Sequence, residues 1–209
     1  MASEAEAHSR VQIDFQRQAF GLRVDLEWSE RVLVLFGPSG SGKSTLLECL
    51  LGLHPSADAR VRLHGRWLDD SARGHHLRVE ERALGWVPQT PTLFPHLSVE
   101  GNLGFGLQRA GPRPHETLDR AIEVLEIGHL LGRRVDELSG GERSRVSLGR
   151  ALASGPKALL LDEPLAALDI ALRARVLPYL LRIRDEMDLP ILYITHDADA
   201  VSYTHLTLP

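Results

Sequence analysis

One short stretch of this sequence, residues 37–45, limits what the chain can fold into more than any other. It follows the pattern G-x-x-x-x-G-K-S, which is typical of a phosphate-binding loop. An apolar run of the kind that forms a buried parallel strand, Val32–Phe36, precedes it, and a helix-like run, Leu46–Leu51, follows it. Gly52 stands where a glycine ends many helices. Because strand, loop and helix occur in this order, we interpret the stretch as a phosphate-binding loop rather than a chance glycine-rich turn.

The residue types of this loop explain how it would hold phosphates. Its glycines let successive backbone N–H groups curve around a phosphate chain, and the following helix adds partial positive charge at its N-terminus. Lys43 would reach the β- and γ-phosphates, and the Ser44 hydroxyl would ligate Mg²⁺. The predicted phosphate-binding residues are Gly37, Pro38, Ser39, Gly40, Ser41, Gly42, Lys43, Ser44 and Thr45.

The totals of the chain disfavour several classes of protein. The chain has 209 residues and a formal net charge of -4. Its net negative charge gives it no overall attraction to nucleic acid or to anionic lipid, both of which are negatively charged. No apolar stretch approaches the roughly 18 residues of a membrane span, and residues 1–10 lack the apolar region of a signal peptide. The single cysteine, Cys49, is expected to be a small core residue rather than a redox site. We therefore expect a soluble cytoplasmic protein that reaches a membrane only through a partner.

Alternating apolar residues predict antiparallel strands in the first part of the chain. These segments are residues 11–15, residues 22–28 and a hairpin at residues 59–68. The polar segment 69–81, with His75 and His76, is expected to be a solvated surface loop, because two adjacent histidines are too few for a metal site. Phe15 and Phe20 are candidates for an aromatic face under a nucleotide base, although the core is the favoured alternative for either.

The rest of the sequence predicts an α/β protein with a mainly parallel sheet. Further strands are expected at residues 84–89, 158–163 and 191–195, and helices at residues 98–107, 116–126, 141–153 and 170–187. In such a sheet, ligands bind at the carboxyl ends of the strands. We expect a single domain, made of a core with an N-terminal antiparallel β subdomain (11–88 and 157–200), an inserted helical subdomain (89–156) and an atypical tail (201–209).

Two carboxylates and a histidine follow the later strands. Asp162 ends one of them, and we expect it to hold Mg²⁺ directly or through water. Glu163 is placed to polarise a water in line with the γ-phosphate. His196, at the end of the last predicted strand, could contact that phosphate, although a single histidine at this place does not by itself favour a functional role over a structural one. A solvated strand end is the alternative for the two acids.

A second pattern of free N–H donors opens a predicted helix, at residues 138–142 with the sequence L-S-G-G-E. An ordinary helix cap is the alternative. A chain with two such half-sites and one nucleotide favours a head-to-tail dimer. In it, the Ser139 loop of one copy would cover the phosphate held by Lys43 of the partner subunit.

Together these motifs resemble the nucleotide-binding subunits of ABC transporters, from about Val11 to Asp197. The matching segments are the Walker A loop (37–45), the Q-loop glutamine (Gln89), the signature (138–142), the Walker B strand (159–163), the D-loop (167–169) and the switch histidine (His196). The resemblance implies ATP and Mg²⁺ as cofactors and catalytic roles for Glu163 and His196. It also implies that ATP or its metal contacts Gln89, Ser139, Gly140, Gly141, Asp162 and Asp169, with Ser44, Gln89 and Asp162 at the metal.

Within this family the sequence is most similar to molybdate importer ATPases, in residues 92–103, 130–134 and 162–170. Sulfate, iron and polyamine importers share parts of these segments. The resemblance implies a homodimer of ATPase subunits, peripheral on the cytoplasmic face of the plasma membrane. Its partners would be integral membrane permease subunits and, indirectly, a substrate-binding protein, but no nucleic acid.

The sequence departs from the family pattern at two places. The position where many members carry a tyrosine that stacks on adenine has no clear counterpart here, and residues 202–209 do not resemble the family, so we expect a shortened C-terminus. A soluble ABC-type ATPase of DNA repair or translation is a rival, disfavoured by the single phosphate loop and the lack of a long heptad run. A non-catalytic regulatory binder is disfavoured by intact Lys43, Asp162, Glu163 and His196.

Overall fold

The computed structural model describes residues 8–38, 40–54, 58–107, 114–166, 168–187 and 189–196. The chain divides into two units, of which the first is formed by Met1–Leu84 with Pro190–Pro209 and the second by Gly85–Leu189. The tail expected at 201–209 lies outside the described residues, and the subdomain boundaries expected from the sequence stay a prediction.

All the strands and helices predicted above are present, with ends that differ by a few residues. The strands of the described residues are β1 (Ser9–Arg17), β2 (Phe20–Trp28), β3 (Val32–Phe36), β4 (Asp58–Leu63), β5 (Arg66–Asp70), β6 (His75–His76), β7 (Leu84–Val87), β8 (Ala158–Asp162) and β9 (Ile191–Thr195). The α-helices are α1 (Lys43–Leu51), α2 (Val99–Leu107), α3 (Pro114–Val124), α4 (Gly140–Ala153) and α5 (Ile170–Met187). None of the helices in the described ranges is long and apolar enough to cross a membrane.

The first unit contains an antiparallel sheet with the strand order β2-β1-β4-β5-β6. Successive side chains of a strand point to opposite faces, and β1 accordingly buries Val11, Ile13 and Phe15 on one face. Burial of Phe15 places this ring in the core, whereas Phe20, at the start of β2, keeps 38% of its surface exposed. Of the two aromatic candidates, only Phe20 is accessible to a ligand.

The expectation of a solvated loop at residues 69–81 is wrong in part. Asp69 and Asp70 are buried in β5, and His75–His76 form the short strand β6 that pairs with them. Carboxylates are buried only when their charge is compensated, and the buried Arg82 compensates Asp69. Because Arg82 lies 13 residues away in the sequence, the polar composition of the segment gave no sign of this pair.

The first unit also contains the parallel pair β3 and β9. Val32, Leu33 and Val34 of β3 and all five residues of β9 are buried, as expected for strands covered on both faces. The register pairs Phe36 with Thr195, so the two strands end side by side at their carboxyl ends.

Helix α1 begins directly after the phosphate loop and ends at Gly52, as predicted. Gly52 has φ 79°, and its N–H donates to the carbonyls of Cys49 and Glu48. Cys49 is buried in this helix, and burial raises the pKa of its thiol to about 11, which makes a redox role for it unfavourable at neutral pH.

The second unit contains the helices α2 to α5 and the strand β8, whose five residues are all buried. Helix α2 packs closely on α4 at Gly106, where an added Cβ would lie 2.6 Å from the carbonyl oxygen of Arg150. Helices α2, α3 and α4 confirm the helical segments expected between Gln89 and Pro156.

Candidate functional site

The phosphate loop runs from the end of β3 to the start of α1 in the first unit. Gly40 and Gly42 have φ values of 81° and 91°, a left-handed conformation that glycine adopts without strain. An added Cβ at Gly40 would meet nothing within 4 Å, so the space above the loop is open there. Ser39, which the sequence places in this loop, lies outside the described residues.

Lys43 lies over the loop that precedes it. Its Nζ donates to the carbonyl oxygens of Gly37 at 2.8 Å and Pro38 at 2.7 Å, and to Ser41 Oγ at 3.2 Å. The ammonium group is thereby directed at the inside of the loop. A phosphate oxygen would be a stronger acceptor for it than these neutral groups, because its negative charge adds Coulombic attraction to the ammonium.

The first turn of α1 faces the same loop. Ser44 is exposed in this turn, whose residues the structure describes in full and which contains no acidic side chain. Backbone N–H groups in a first helical turn have no partner within the helix and carry partial positive charge. The end of α1 therefore favours an anion.

An aromatic ring lies beside the loop. Atom Cζ of Phe20 and atom Cδ1 of Leu22 are each 3.1 Å from the position of a Cβ added at Gly42. Gly42 thus has a packing reason to lack a side chain, in addition to its φ. Among the aromatic candidates, Phe20 is the one next to the predicted phosphates.

The structure brings His196 to the edge of the sheet where the loop begins. His196 directly follows Thr195, which pairs with Phe36, and Gly37 directly follows Phe36. Its side chain is exposed. Parallel pairing of β3 and β9 is the reason that residues about 160 positions apart start from neighbouring strand ends.

In the second unit, Asp162 is the last residue of β8 and Glu163 follows it. Asp162 is 6% exposed, and Glu163 is half-buried with φ 49°, a conformation that costs a non-glycine residue energy. The side-chain amide of Gln89 donates to Glu163 Oε2 at 3.3 Å. The sequence did not predict this contact, and it connects the second residue after β7 with the residue after β8.

The signature segment forms the N-terminus of α4. The Ser139 hydroxyl accepts from the Glu142 N–H at 3.3 Å, and Glu142 Oε2 accepts from the Ser139 N–H at 2.7 Å, which is a capping box. These bonds from Ser139 lower the pKa of the Glu142 carboxyl. The helix cap considered above is thus present. Ser139 and Gly140 are also exposed and can reach a nucleotide of the partner subunit, and this contact stays a prediction.

Asp169 has a structural task at the start of α5. Its Oδ1 accepts from the Leu172 N–H at 2.9 Å, as an N-cap side chain does. The neighbouring residue of the D-loop, Ala167, lies outside the described residues. A role of Asp169 at the nucleotide stays a prediction.

The sequence did not predict a structural role for Asn102, a buried polar residue of the second unit. Asn102 of α2 accepts from the Phe94 N–H at 2.8 Å and donates to the Phe94 carbonyl at 3.2 Å, and so fixes the segment after Gln89. The ring of Phe94 packs edge-on against Phe105, with 4.6 Å between centroids. A polar residue among the apolar residues of a predicted helix was the one available signal.

The predicted residues fall into two groups. The phosphate loop, Ser44 and His196 belong to the first unit. Gln89, Asp162, Glu163, Asp169 and the signature residues belong to the second. The metal site that would combine Ser44 with Gln89 and Asp162 stays a prediction.

The family model described as "ABC transporter" matches residues 21–166. The chain belongs to this family, and its fold is the ABC ATPase fold with a parallel core and an antiparallel β subdomain.

Within this family, the chain is similar to curated proteins named for molybdenum import. The chain is 48% identical over 199 residues to the molybdenum import ATP-binding protein ModC of Methylococcus capsulatus, a match that covers 94% of this chain and 54% of the relative. It is 47% identical over 196 residues to ModC 1 of Azotobacter vinelandii, covering 93% and 54% respectively. The chain thus spans about half the length of the curated relatives it matches.

Solved structures agree with this assignment. A metal-chelate type ABC transporter in an inward-facing conformation matches with a TM-score of 0.70 and 29% identity, over 93% of this chain and 75% of that one. An ATP-bound bacterial Atm1-family ABC exporter matches with a TM-score of 0.77 over 94% of this chain and 36% of that one. At 23% identity, the second match supports the fold alone.

Proposed function

We propose that this chain is the ATP-binding and ATP-hydrolysing part of an ABC importer, and that the importer carries molybdate. The observation that carries the ATPase is the phosphate loop between β3 and α1, with the Lys43 ammonium held inside it. The names of the relatives support molybdate as the cargo of the whole transporter.

ATP would bind with its phosphates in the loop. The backbone N–H groups of the loop and of the first turn of α1 would surround the β-phosphate, and Lys43 would exchange the carbonyls of Gly37 and Pro38 for phosphate oxygens. The exposed ring of Phe20 is suited to lie against the adenine, because it is next to Gly42 at the end of the loop.

The residues present have the donor chemistry that Mg²⁺ prefers. Ser44 offers an exposed hydroxyl, Asp162 a carboxylate at a strand end, and Gln89 an amide oxygen, all of them hard oxygen ligands. When bound, Mg²⁺ would neutralise part of the phosphate charge.

Hydrolysis would depend on Glu163 as the base. Its carboxylate would accept a proton from the water that attacks the γ-phosphate, and the hydrogen bond from Gln89 would orient that carboxylate. His196 would donate a hydrogen bond to the same phosphate and hold it in place. ADP and inorganic phosphate are then the products, with the water oxygen in the phosphate.

A second copy and a permease would complete the assembly. The exposed signature residues, Ser139 and Gly140, would cover the nucleotide of the partner subunit as a second anion site. The pair Phe94 and Phe105, the latter 44% exposed, offers an apolar patch for a permease helix. The chain would then be a peripheral protein on the cytoplasmic face of the membrane.

The variant Glu163→Gln tests the proposed function. It should lower phosphate release from ATP about 10²–10⁴-fold, the usual worth of a general base, and leave ATP binding intact. Light scattering should show this variant as a dimer in the presence of Mg-ATP, because ATP is bound and not consumed. Glu126→Gln is the matched control, since Glu126 is an exposed glutamate of the same unit with a similar φ of 52°. Wild-type turnover in Glu163→Gln would contradict the assignment.

A further inference from the structure

Arg82 is a fully buried arginine in the first unit, with a relative exposure of 0%. Its Nη1 and Nη2 atoms donate to the two carboxylate oxygens of Asp69, both at 2.8 Å. Such a two-pronged pair fixes the plane of the guanidinium as well as its position. The mechanism proposed above makes no use of this pair.

The same guanidinium also holds the phosphate-binding helix. Its Nη1 donates to the carbonyl oxygen of Leu50 at 2.7 Å, and its Nε donates to that of Leu77 at 3.0 Å. Leu50 lies in the last turn of α1, where carbonyls have no partner within the helix and carry partial negative charge. Arg82 therefore joins the C-terminal end of α1 to β5 and to the residue that follows β6.

The surroundings leave Arg82 little freedom to move. Arg66 of β5 donates to the Arg82 carbonyl at 2.6 Å and also bonds the Glu81 carbonyl. His76 of β6 hydrogen-bonds Asp69 through Nδ1, and this atom lies 3.5 Å from Arg82 Nη2. His76, which is exposed as the sequence predicted, thus completes the network from the side of β6.

Gly52 makes room for this arrangement. A Cβ at Gly52 would lie 2.7 Å from Arg82 Nε and 2.8 Å from its Cζ. The glycine that ends α1 is therefore required twice, once for its φ of 79° and once for the approach of the guanidinium.

We propose that Arg82 is a positioning residue for ATP, which acts through α1 and touches no substrate. Helix α1 has nine residues and is about 13 Å long, so a tilt at Leu50 moves the first turn with Lys43 and Ser44. The loop offers little resistance to such a shift, since the space at Gly40 is open. This inference rests on the proposed binding of ATP by the loop.

The first test is Arg82→Lys in the whole chain. Lysine keeps the charge opposite Asp69 but lacks the planar fork that also reaches Leu50 and Leu77. We expect the Kd for Mg-ATP and the KM for hydrolysis to rise about 10- to 100-fold, the cost of a small misplacement, with a smaller change in kcat. Arg78→Lys is the matched control, because Arg78 belongs to the same segment and pairs with Glu81 at the surface.

A second pair of variants tests the proposal even if the Arg82→Lys chain folds poorly. Gly52→Ala places a Cβ against Arg82, whereas Gly74→Ala, with φ 64° and no atom within 4 Å, imposes a similar backbone strain and no contact. We expect weaker Mg-ATP binding in Gly52→Ala only. The Kd of each variant is measured at a temperature below its own unfolding midpoint, so that the folded chain is compared. Equal ATP affinity in the two glycine variants would overturn the proposal. A wild-type chain that binds no ATP would instead refute the proposed function.

Discussion

The side-chain amide of Gln89 donates a 3.3 Å hydrogen bond to the carboxylate of Glu163, across 74 positions of sequence. The first residue follows β7 and the second follows β8, and both strands end in the second unit. The contact joins two residues that the family resemblance assigns to different motifs. The backbone of Glu163 adopts φ 49°, a strained conformation for a non-glycine residue, and the hydrogen bond from Gln89 fixes the position of its carboxylate.

Loss of this contact should slow hydrolysis more than it weakens binding. We expect Gln89→Ala to reduce the rate of phosphate release about tenfold, since a hydrogen bond to a charged group contributes about 1.5–3 kcal/mol and this one is long. The Kd for ATP should change less than the rate. Gln12→Ala, which removes a 2.9 Å bond from Gln12 on β1 to Asp25 on β2, is the control and should change neither.

Removal of the ammonium from the loop should abolish tight binding of ATP. In Lys43→Met, at least two charge-assisted bonds to phosphate are lost, so we expect the Kd for ATP to rise at least about 100-fold. Lys157→Met is the control, because Lys157 is an exposed lysine before β8. Calorimetric titration with Mg-ATP would measure both, and equal affinities would exclude the loop as the nucleotide site.

Two glycines of α2 should respond in opposite ways to the same substitution. Gly106→Ala would bring a Cβ to 2.6 Å from the Arg150 carbonyl, so we expect the free energy of unfolding to fall by about 1–3 kcal/mol. Gly104→Ala meets nothing within 4 Å and should raise that free energy by up to about 1 kcal/mol, through helix propensity. Urea denaturation would measure both. A loss of stability in both variants would show that α2 tolerates no side chain at either position.

The capping box of α4 should make stability depend on pH in a defined direction. Bonds from Ser139 lower the pKa of Glu142 in the folded chain below its ordinary value of 4.5. The charge therefore stabilises the fold fully above pH 4.5, and this contribution is lost as the pH falls through the lower folded-state pKa. The difference in free energy of unfolding between wild type and Glu142→Gln should be constant near neutrality and shrink in acid. A difference that does not vary with pH would show that the charge contributes nothing.

Much of the fold was predictable because each local signal agreed with the next. The apolar run at Val32–Phe36, the glycine pattern after it and the glycine after Leu51 define strand, loop and helix without tertiary information. Period-2 alternation in β1 likewise identified its buried face. The acids after β8 and the histidine after β9 were predictable as strand-end residues, since an α/β sheet places ligands there.

Other contacts depend on partners that are distant in sequence. The burial of Asp69 follows from Arg82, and the orientation of Glu163 involves Gln89. The choice between Phe15 and Phe20 required the sheet, because the core face of β1 takes one ring and the turn into β2 leaves the other beside Gly42.

The sequence by itself therefore determined the elements, the phosphate loop and the family, because backbone preference and hydrophobic period act over a few residues. Only the tertiary structure decided which polar groups are buried together, such as Arg82 with the end of α1. Such pairs depend on chain topology, which brings charges together that no local pattern relates.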